Sequence, residues 1–386
     1  MKFKQIDLAS PVFSYPPSRA RVSRNNIYRA QFLPLLTKIE KMKTNQKLAN
    51  QLEKDVRELC LPCGRRVGTK GHELAEQWVE KRLQEIGCIP YRSDSFSLPY
   101  QVEGIGFKNF AGVIPGKNRN LSPVLIGAHY DSVIDAPCAD DNGASVAISL
   151  AVADAIAQSD GLERDLLVTI FDAEEPPYFQ GECMGSNRFY EDQIDDRGIH
   201  FAVISDLVGH DITFPKSVTK RLPAAKLLTS PFAPLTFMTG AESHPELPKV
   251  LENIETPKGM KLIATLNEYV GDMSDHGIFR LNDIPYVFLS CGRWEHYHQP
   301  SDTPEKLNYQ KMGAITEYCI RICRVAAQTS FSETEMGADS LSYEIKTWRT
   351  ALGLMRRPLA NFLGVSDFNS RKNIEEAAIS LSDLGL

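Results

Sequence analysis

The sequence predicts an α/β fold. Short runs rich in Val, Ile, Leu and Phe alternate with longer stretches whose apolar residues recur at helical spacing, and polar residues gather where the apolar runs end. The strand-like runs lie at Phe96–Leu98, Phe110–Ile114, Val124–Ile126, Asp165–Phe171, Phe201–Ile204, Leu235–Met238 and Ile284–Leu289. Helical spacing is found over Gln46–Leu61, His72–Ile86, Gly143–Ala157, near Leu247–Ile254 and over Lys311–Ala327. With 386 residues, 42% hydrophobic and 24% charged, the chain suits one large α/β domain with extensions, or two domains.

Taken in order, residues 1–45 are weakly periodic and contain Pro and Arg, and are expected to form an N-terminal extension. Residues 46–330 hold all the strand-like runs and form the expected main domain. Its second helix, with Leu74, Trp78, Val79, Leu83 and Ile86 on one face, should stop at Gly87. Gly64–Gly71 ahead of it is Gly-rich but lacks the order of a phosphate loop. In the last main-domain helix Met312, Ile315, Cys319, Ile322 and Ala326 share a face. Residues 331–386 are expected to form a helical C-terminal extension, with helices around Tyr343–Leu354 and Ile374–Leu381.

Several classes are disfavoured. A net charge of −6 without a long run of like charge argues against a nucleic-acid partner. No stretch approaches the roughly 18 to 20 apolar residues of a membrane span. The N-terminus has no long apolar core, so no secretory signal is read and a cytoplasmic location is expected. Eight scattered cysteines include a single CxxC, Cys60–Cys63, and are expected to be mostly packed thiols in a reducing compartment.

Four strand-like runs end in groups able to bind a metal: His129 with Asp131, the pair Glu174–Glu175, Asp206, and the loop holding His296 and His298. Asp141 begins the helix after the first. Open α/β sheets place ligands at the carboxyl ends of their strands, so these ends can converge. Imidazoles with carboxylates suit zinc or a similar divalent ion. Adjacent side chains off a strand end point in different directions, so one glutamate can bind metal while its neighbour acts as general base. Asp131 can accept the second ring N–H of His129. A solvated turn at Glu174–Glu175, or a helix-capping Asp beside a solvated His, is the plainer alternative.

The segments GRRVGTKGHELAEQWVEKRLQEIG, LIGAHYDS, ADDNGAS, DAEEPP, ISDLVG, SDHGIF and HQPSDTPEKL, in this order, resemble the zinc-dependent aminopeptidases of the bacterial leucyl and aminopeptidase Y type. The resemblance covers about Gln46 to Ala327. It implies a single three-layer domain, with a mixed, mostly parallel sheet sandwiched by helices, and a centre of two zinc ions. Carried over, it makes His129 and Asp206 ligands of one zinc, Glu175 and His298 ligands of the other, and Asp141 the bridge, followed by a cis peptide to Asn142. Glu174 becomes the general base and Asp131 the residue orienting His129. The implied activity is hydrolysis of N-terminal residues from peptides. Asp275 and Tyr297 are candidates for the substrate end of the cleft, with a cap or a packed ring as their alternatives.

Glutaminyl cyclases resemble the same pattern, with one zinc and an intramolecular transfer that forms pyroglutamate. Their tryptophan before the last ligand histidine is Tyr297 here, which favours the peptidase. Relatives such as the transferrin receptor ectodomain keep the fold without the ligands, so a binding module is a third reading. The insertion PPYFQGEC after the glutamate pair departs from the pattern at the cleft.

Overall fold

In the computed structural model, which describes residues 45–92, 94–213, 232–331 and 338–383, the apolar runs form one nine-stranded mixed sheet. Its strands are β1 (Ile89–Pro90), β2 (Ser97–Val102), β3 (Ile105–Ile114), β4 (Val124–His129), β5 (Leu166–Phe171), β6 (Phe201–Ser205), β7 (Leu235–Thr239), β8 (Lys261–Ala264) and β9 (Tyr286–Ser290). The order is β1-β3-β5-β4-β6-β9-β7-β8, with β2 also paired to β3. The centre, β5-β4-β6-β9, is parallel, and antiparallel β3 and β7 flank it.

The central strands read as continuous apolar runs because both of their faces are buried. Every residue of β4, β5 and β6 is buried, and their two-residue period divides them between two cores. Val124, Ile126, Leu166, Val168, Phe201 and Val203 join a core on one face, while Leu125, Leu167, Ala202 and Ile204 join one on the other.

Helices α1 (residues 45–59), α2 (Lys70–Ile86), α3 (Ala144–Ala157) and α7 (Tyr309–Gln328) supply the first core. α3 is apolar on all sides because it is buried on nearly all sides, and each large aliphatic side chain there contributes ~1.5–3 kcal/mol. Thr69 caps α2, and Gly87 ends it with φ 85°, a conformation open to glycine. The other face receives α6 (His276–Leu281), which follows the short helices α4 (Gly185–Arg188) and α5 (Leu247–Glu252) in the chain.

The C-terminal helices α8 (Leu341–Leu352), α9 (Arg356–Leu363) and α10 (Arg371–Asp383) share a third core with Leu235 and Ile263. They belong to the same compact body as the rest of residues 45–386. α8 also satisfies the edge strand β8: Thr347 Oγ1 accepts from Ala264 N at 2.9 Å, and Trp348 Nε1 donates to Ala264 O at 3.0 Å.

Two local differences from the sequence expectation have physical reasons. The strand at Val124 runs on to His129, because the pairing with β5 continues to Phe171. The run at Phe96–Leu98 is half of a hairpin, Ser97–Val102 against Ile105–Phe110, turned by Glu103 and Gly104 at φ 51° and 82°. That half-exposed hairpin lacks a long apolar run, so only its ends were legible. The proposed N-terminal extension lies outside the described residues apart from its last position.

Candidate metal centre

The parallel strands deliver their ligands to one crevice. His129 is the last residue of β4, Glu174 and Glu175 follow β5 by a short turn, and Asp206 immediately follows β6. His298 comes from the loop after β9, and Asp141 from the tight turn Ala139–Gly143 that leads into α3. Two groups result, His129–Asp141–Asp206 and Asp141–Glu175–His298, each with one atom per residue all within 4.8 Å of one another. His129 Nε2 lies 3.6 Å from Asp141 Oδ1 and 3.7 Å from Asp206 Oδ2. His298 Nε2 lies 3.2 Å from both Asp141 Oδ2 and Glu175 Oε2. Asp141 faces both groups, and its peptide bond to Asn142 is cis.

The backbone around the centre is strained in several places. Cys138, Ala173, Leu207 and His298 all adopt positive φ, between 43° and 55°. Such conformations cost a non-glycine residue on the order of 1 to 3 kcal/mol and cluster at functional sites.

One carboxylate links two strand ends. Asp131 Oδ1 sits 3.3 Å from His129 Nδ1, and its two oxygens accept from the amides of Glu174 and Glu175 at 3.0 and 3.1 Å. Burial would raise the Asp131 carboxyl, but His129 and these two amides hold it below its ordinary value. Asp302 steadies the turn that carries Asp141, accepting from the amides of Asp140 and Asp141 at 3.0 and 3.1 Å.

Further braces lie in the segments that carry the resemblance, but no local period marks their role. Arg65, fully buried, donates from Nε to Tyr130 O at 2.6 Å and from its two Nη atoms to Pro137 O and Cys138 O. It thereby ties both ends of the loop between His129 and Asp141. Asp140 turns away from the crevice and accepts from Gly209 N and His210 Nδ1, each at 2.6 Å. Asp172 accepts from Lys108 N and Ala173 N and meets His72 Nε2 at 2.8 Å, which fixes the turn into Glu174. His72, Glu76 and Asp172 form a third acidic group, but Lys108 Nζ stands 2.6 Å from Glu76 and supplies its positive charge.

The buried atoms at the crevice fit a divalent cation. Among the described residues, His129 Nε2, Asp141 Oδ2, Glu175 Oε1, Asp206 Oδ1 and His298 Nε2 are buried without hydrogen-bond partners, an expensive condition that metal coordination relieves. Burial and the nearby Asp141 push the Glu175 carboxyl up to about 8. Burial, with Asp206, Asp275 and Glu175 close by, holds Glu174 well above its usual range. Carboxylates crowded this way require cationic charge, and the mixture of imidazole and carboxylate is a zinc-type donor set.

Of the two remaining candidates, Tyr297 stacks on His298 with ring centroids 3.7 Å apart and lines an adjoining cavity. Asp275 is wholly buried, helps to raise the Glu174 carboxyl, and makes no side-chain cap to α6. His296 is turned away, 2.8 Å from Ser301 Oγ. The insertion after Glu175 begins with a cis Pro176–Pro177 bond and lines a cavity of about 330 Å³ together with Asp131 and Glu175. All eight cysteines are free, with Cys63 exposed and six others buried.

Strand-end carboxylates and imidazoles on a sheet of this order make a metal-dependent, peptidase-like centre. The chain belongs to peptidase family M28, whose model matches residues 109–323 and so includes both metal groups. It is similar to the uncharacterized protein YfbL of Escherichia coli (strain K12), 26% identical over 223 residues, or 52% of this chain. The chain spans 65% of that relative's length. Among solved structures, the LapA aminopeptidase of Legionella pneumophila aligns over 82% of this chain and 78% of its own, with TM-score 0.57 and 15% identity. A glutaminyl cyclase of Porphyromonas gingivalis aligns over 71% of this chain and 96% of its own, with TM-score 0.50 and 16% identity. At these identities the likeness is one of fold.

Proposed function

We propose that the chain is an aminopeptidase that removes N-terminal residues from peptides at a centre of two zinc ions. The observation that carries the reading is the pair of buried ligand groups sharing Asp141. His129, Asp141 and Asp206 would hold one ion, and Asp141, Glu175 and His298 would hold the other. Zinc supplies the positive charge that polarises a scissile carbonyl and acidifies water. Glu174, which neither ligand group uses, takes the water's proton on its carboxylate and passes it to the leaving amine. Asp131 holds the ring of His129 and the amides of both glutamates, so ligand and base are oriented together.

Membership of a peptidase family and the fold shared with an aminopeptidase support the class. The cyclase reading is the alternative, since the fold is shared with the Porphyromonas gingivalis enzyme as well. Tyr297, in place of the cyclases' tryptophan, weighs against it. Zinc-loaded protein should be offered unblocked peptides, their N-acetylated forms, and a peptide beginning with Gln. Amino acids should be released from the unblocked peptides alone. Ammonia and pyroglutamate from the Gln peptide, with every other peptide intact, would replace the aminopeptidase with the cyclase.

A further inference from the structure

The loop that brings His298 to the crevice starts after Ser290, the last residue of β9. Its far end is fastened to the turn that carries Asp141: Asp302 accepts from the amides of Asp140 and Asp141, and its own carbonyl accepts from Ala139 N at 3.3 Å. Its near end holds Trp294. The indole lies flat on the imidazole of His210, with ring centroids 4.5 Å and planes 12° apart, and packs against the first core. The ring of His296 meets it edge to face at 4.6 Å. Among the described residues, Nε1 of this indole is buried without a hydrogen-bond partner, so stacking and contact, not a polar bond, keep the ring in place.

His210 is a rigid seat for that ring. It is wholly buried, its Nδ1 meets Asp140 Oδ2 at 2.6 Å, and its carbonyl accepts from Nζ of the buried Lys311 at 2.7 Å. Asp140 is the chain neighbour of Asp141, so the seat is joined to the turn that bears the shared ligand. Trp294 and Asp302 thus tie the two ends of the loop to the same turn. His298 stands between them with φ 55°, a conformation that a non-glycine residue keeps only where its surroundings impose it. Neither His210 nor Trp294 falls in the segments that carry the family resemblance.

We propose that Trp294, seated on His210, is a positioning residue for His298 and sets how firmly the ion at Asp141, Glu175 and His298 is held. Without the indole the loop is still tied at Asp302 but not at its start, and the ring of His298 gains arrangements that miss the ion. The ion at His129, Asp141 and Asp206 draws no ligand from the loop, so its hold should stay the same. The proposal rests on the two-ion reading for its ligand, and on the stack for its residues.

Three variants test it. Trp294→Ala removes the stack, Trp294→Phe keeps it, and His210→Asn keeps a donor for Asp140 but removes the ring beneath the indole. Each is loaded with zinc beside wild type and His298→Ala, and release to excess chelator is followed with a zinc-binding dye. The phase that His298→Ala lacks belongs to the His298 ion. In Trp294→Ala and His210→Asn that phase should run roughly 10- to 100-fold faster, the usual scale for a group that orients a ligand, with the other phase within about two-fold of wild type. Trp294→Phe should match wild type. The double variant Trp294→Ala/His210→Asn should be no faster than either single one, because both break the same contact. An equal acceleration of both phases would mean a general loosening, and an unchanged His298 phase would mean that the indole only fills space; either overturns the proposal. A wild type that releases a single ion ends the two-ion reading, and that ion then decides alone. If His298→Ala abolishes it, faster release in Trp294→Ala and His210→Asn supports the positioning role and an unchanged rate overturns it; an ion that survives His298→Ala overturns it too. Should Trp294→Ala fail to fold, His210→Asn carries the same comparison.

Discussion

Glu174 and Glu175 share a chemistry and a strand end, yet the geometry gives them different neighbours. Glu175 Oε2 meets His298 and belongs to a ligand group, whereas Glu174 Oε2 stands 3.6 Å from His129 outside both groups. Glu174→Gln is therefore expected to keep its metal while losing roughly 10²- to 10⁴-fold in turnover. Glu175→Gln should lose metal first and regain part of its activity in excess zinc. Metal content and single-turnover rates of the purified variants check this; equal metal loss in both would show the roles misassigned. Arg65 was not legible at this scale. In GRRVG it looks like one of two surface arginines, and only the folded loop brings the carbonyls of Tyr130, Pro137 and Cys138 around its guanidinium. A lysine has no planar fork to span three carbonyls. Arg65→Lys should lower unfolding stability by on the order of 2 to 4 kcal/mol and speed zinc loss to a chelator. A urea curve and chelation rate matching wild type would remove Arg65 from the support of the centre.

At the scale of elements, the order of the sheet decides what each strand end can reach. β4 sits between β5 and β6, so His129 comes between Glu174 and Asp206, although the chain separates them widely. β6 is itself tied to the end of α7: His200 Nε2, just ahead of the strand, meets Ala326 O and Thr329 O at 3.2 and 3.0 Å. Burial first, and then the charge of Arg164, push the His200 imidazole down to about 4. Its unfolded value is about 6.5. Its stabilising contribution is thus fully present above about pH 6.5 and is lost as pH falls through about 4. The wild type should lose more stability than His200→Gln over that interval, as read by urea unfolding at stepped pH. Parallel losses would place the acid sensitivity elsewhere. Periodicity announced β6 and α7 themselves, but a tie between a loop and a helix end has no local pattern to read.

For the whole molecule, the acidic crevice makes stability depend on the metal. An ion that binds the folded chain at 100 times its dissociation constant stabilises it by about 2.7 kcal/mol. Chelation should therefore lower the unfolding temperature, zinc should restore it, and Glu175→Gln should show a smaller response; a melting curve indifferent to chelator and zinc would contradict this. The sequence by itself determined the α/β class, the apolar central strands and the set of side chains at their ends. These follow from short-range rules, a two-residue or 3.6-residue period and the need to bury apolar surface. The resemblance it carries also named Asp141 over Asp140 and His298 over His296. Tertiary structure alone decided the partners of the other two: Gly209 and His210 donate to Asp140, and Ser301 Oγ lies 2.8 Å from His296 Nδ1. It also decided that residues expected as a C-terminal extension cover the edge strand and wall a cavity at the metal centre. Those contacts join residues that are remote in the chain, and sheet order and packing choose them where no local period can.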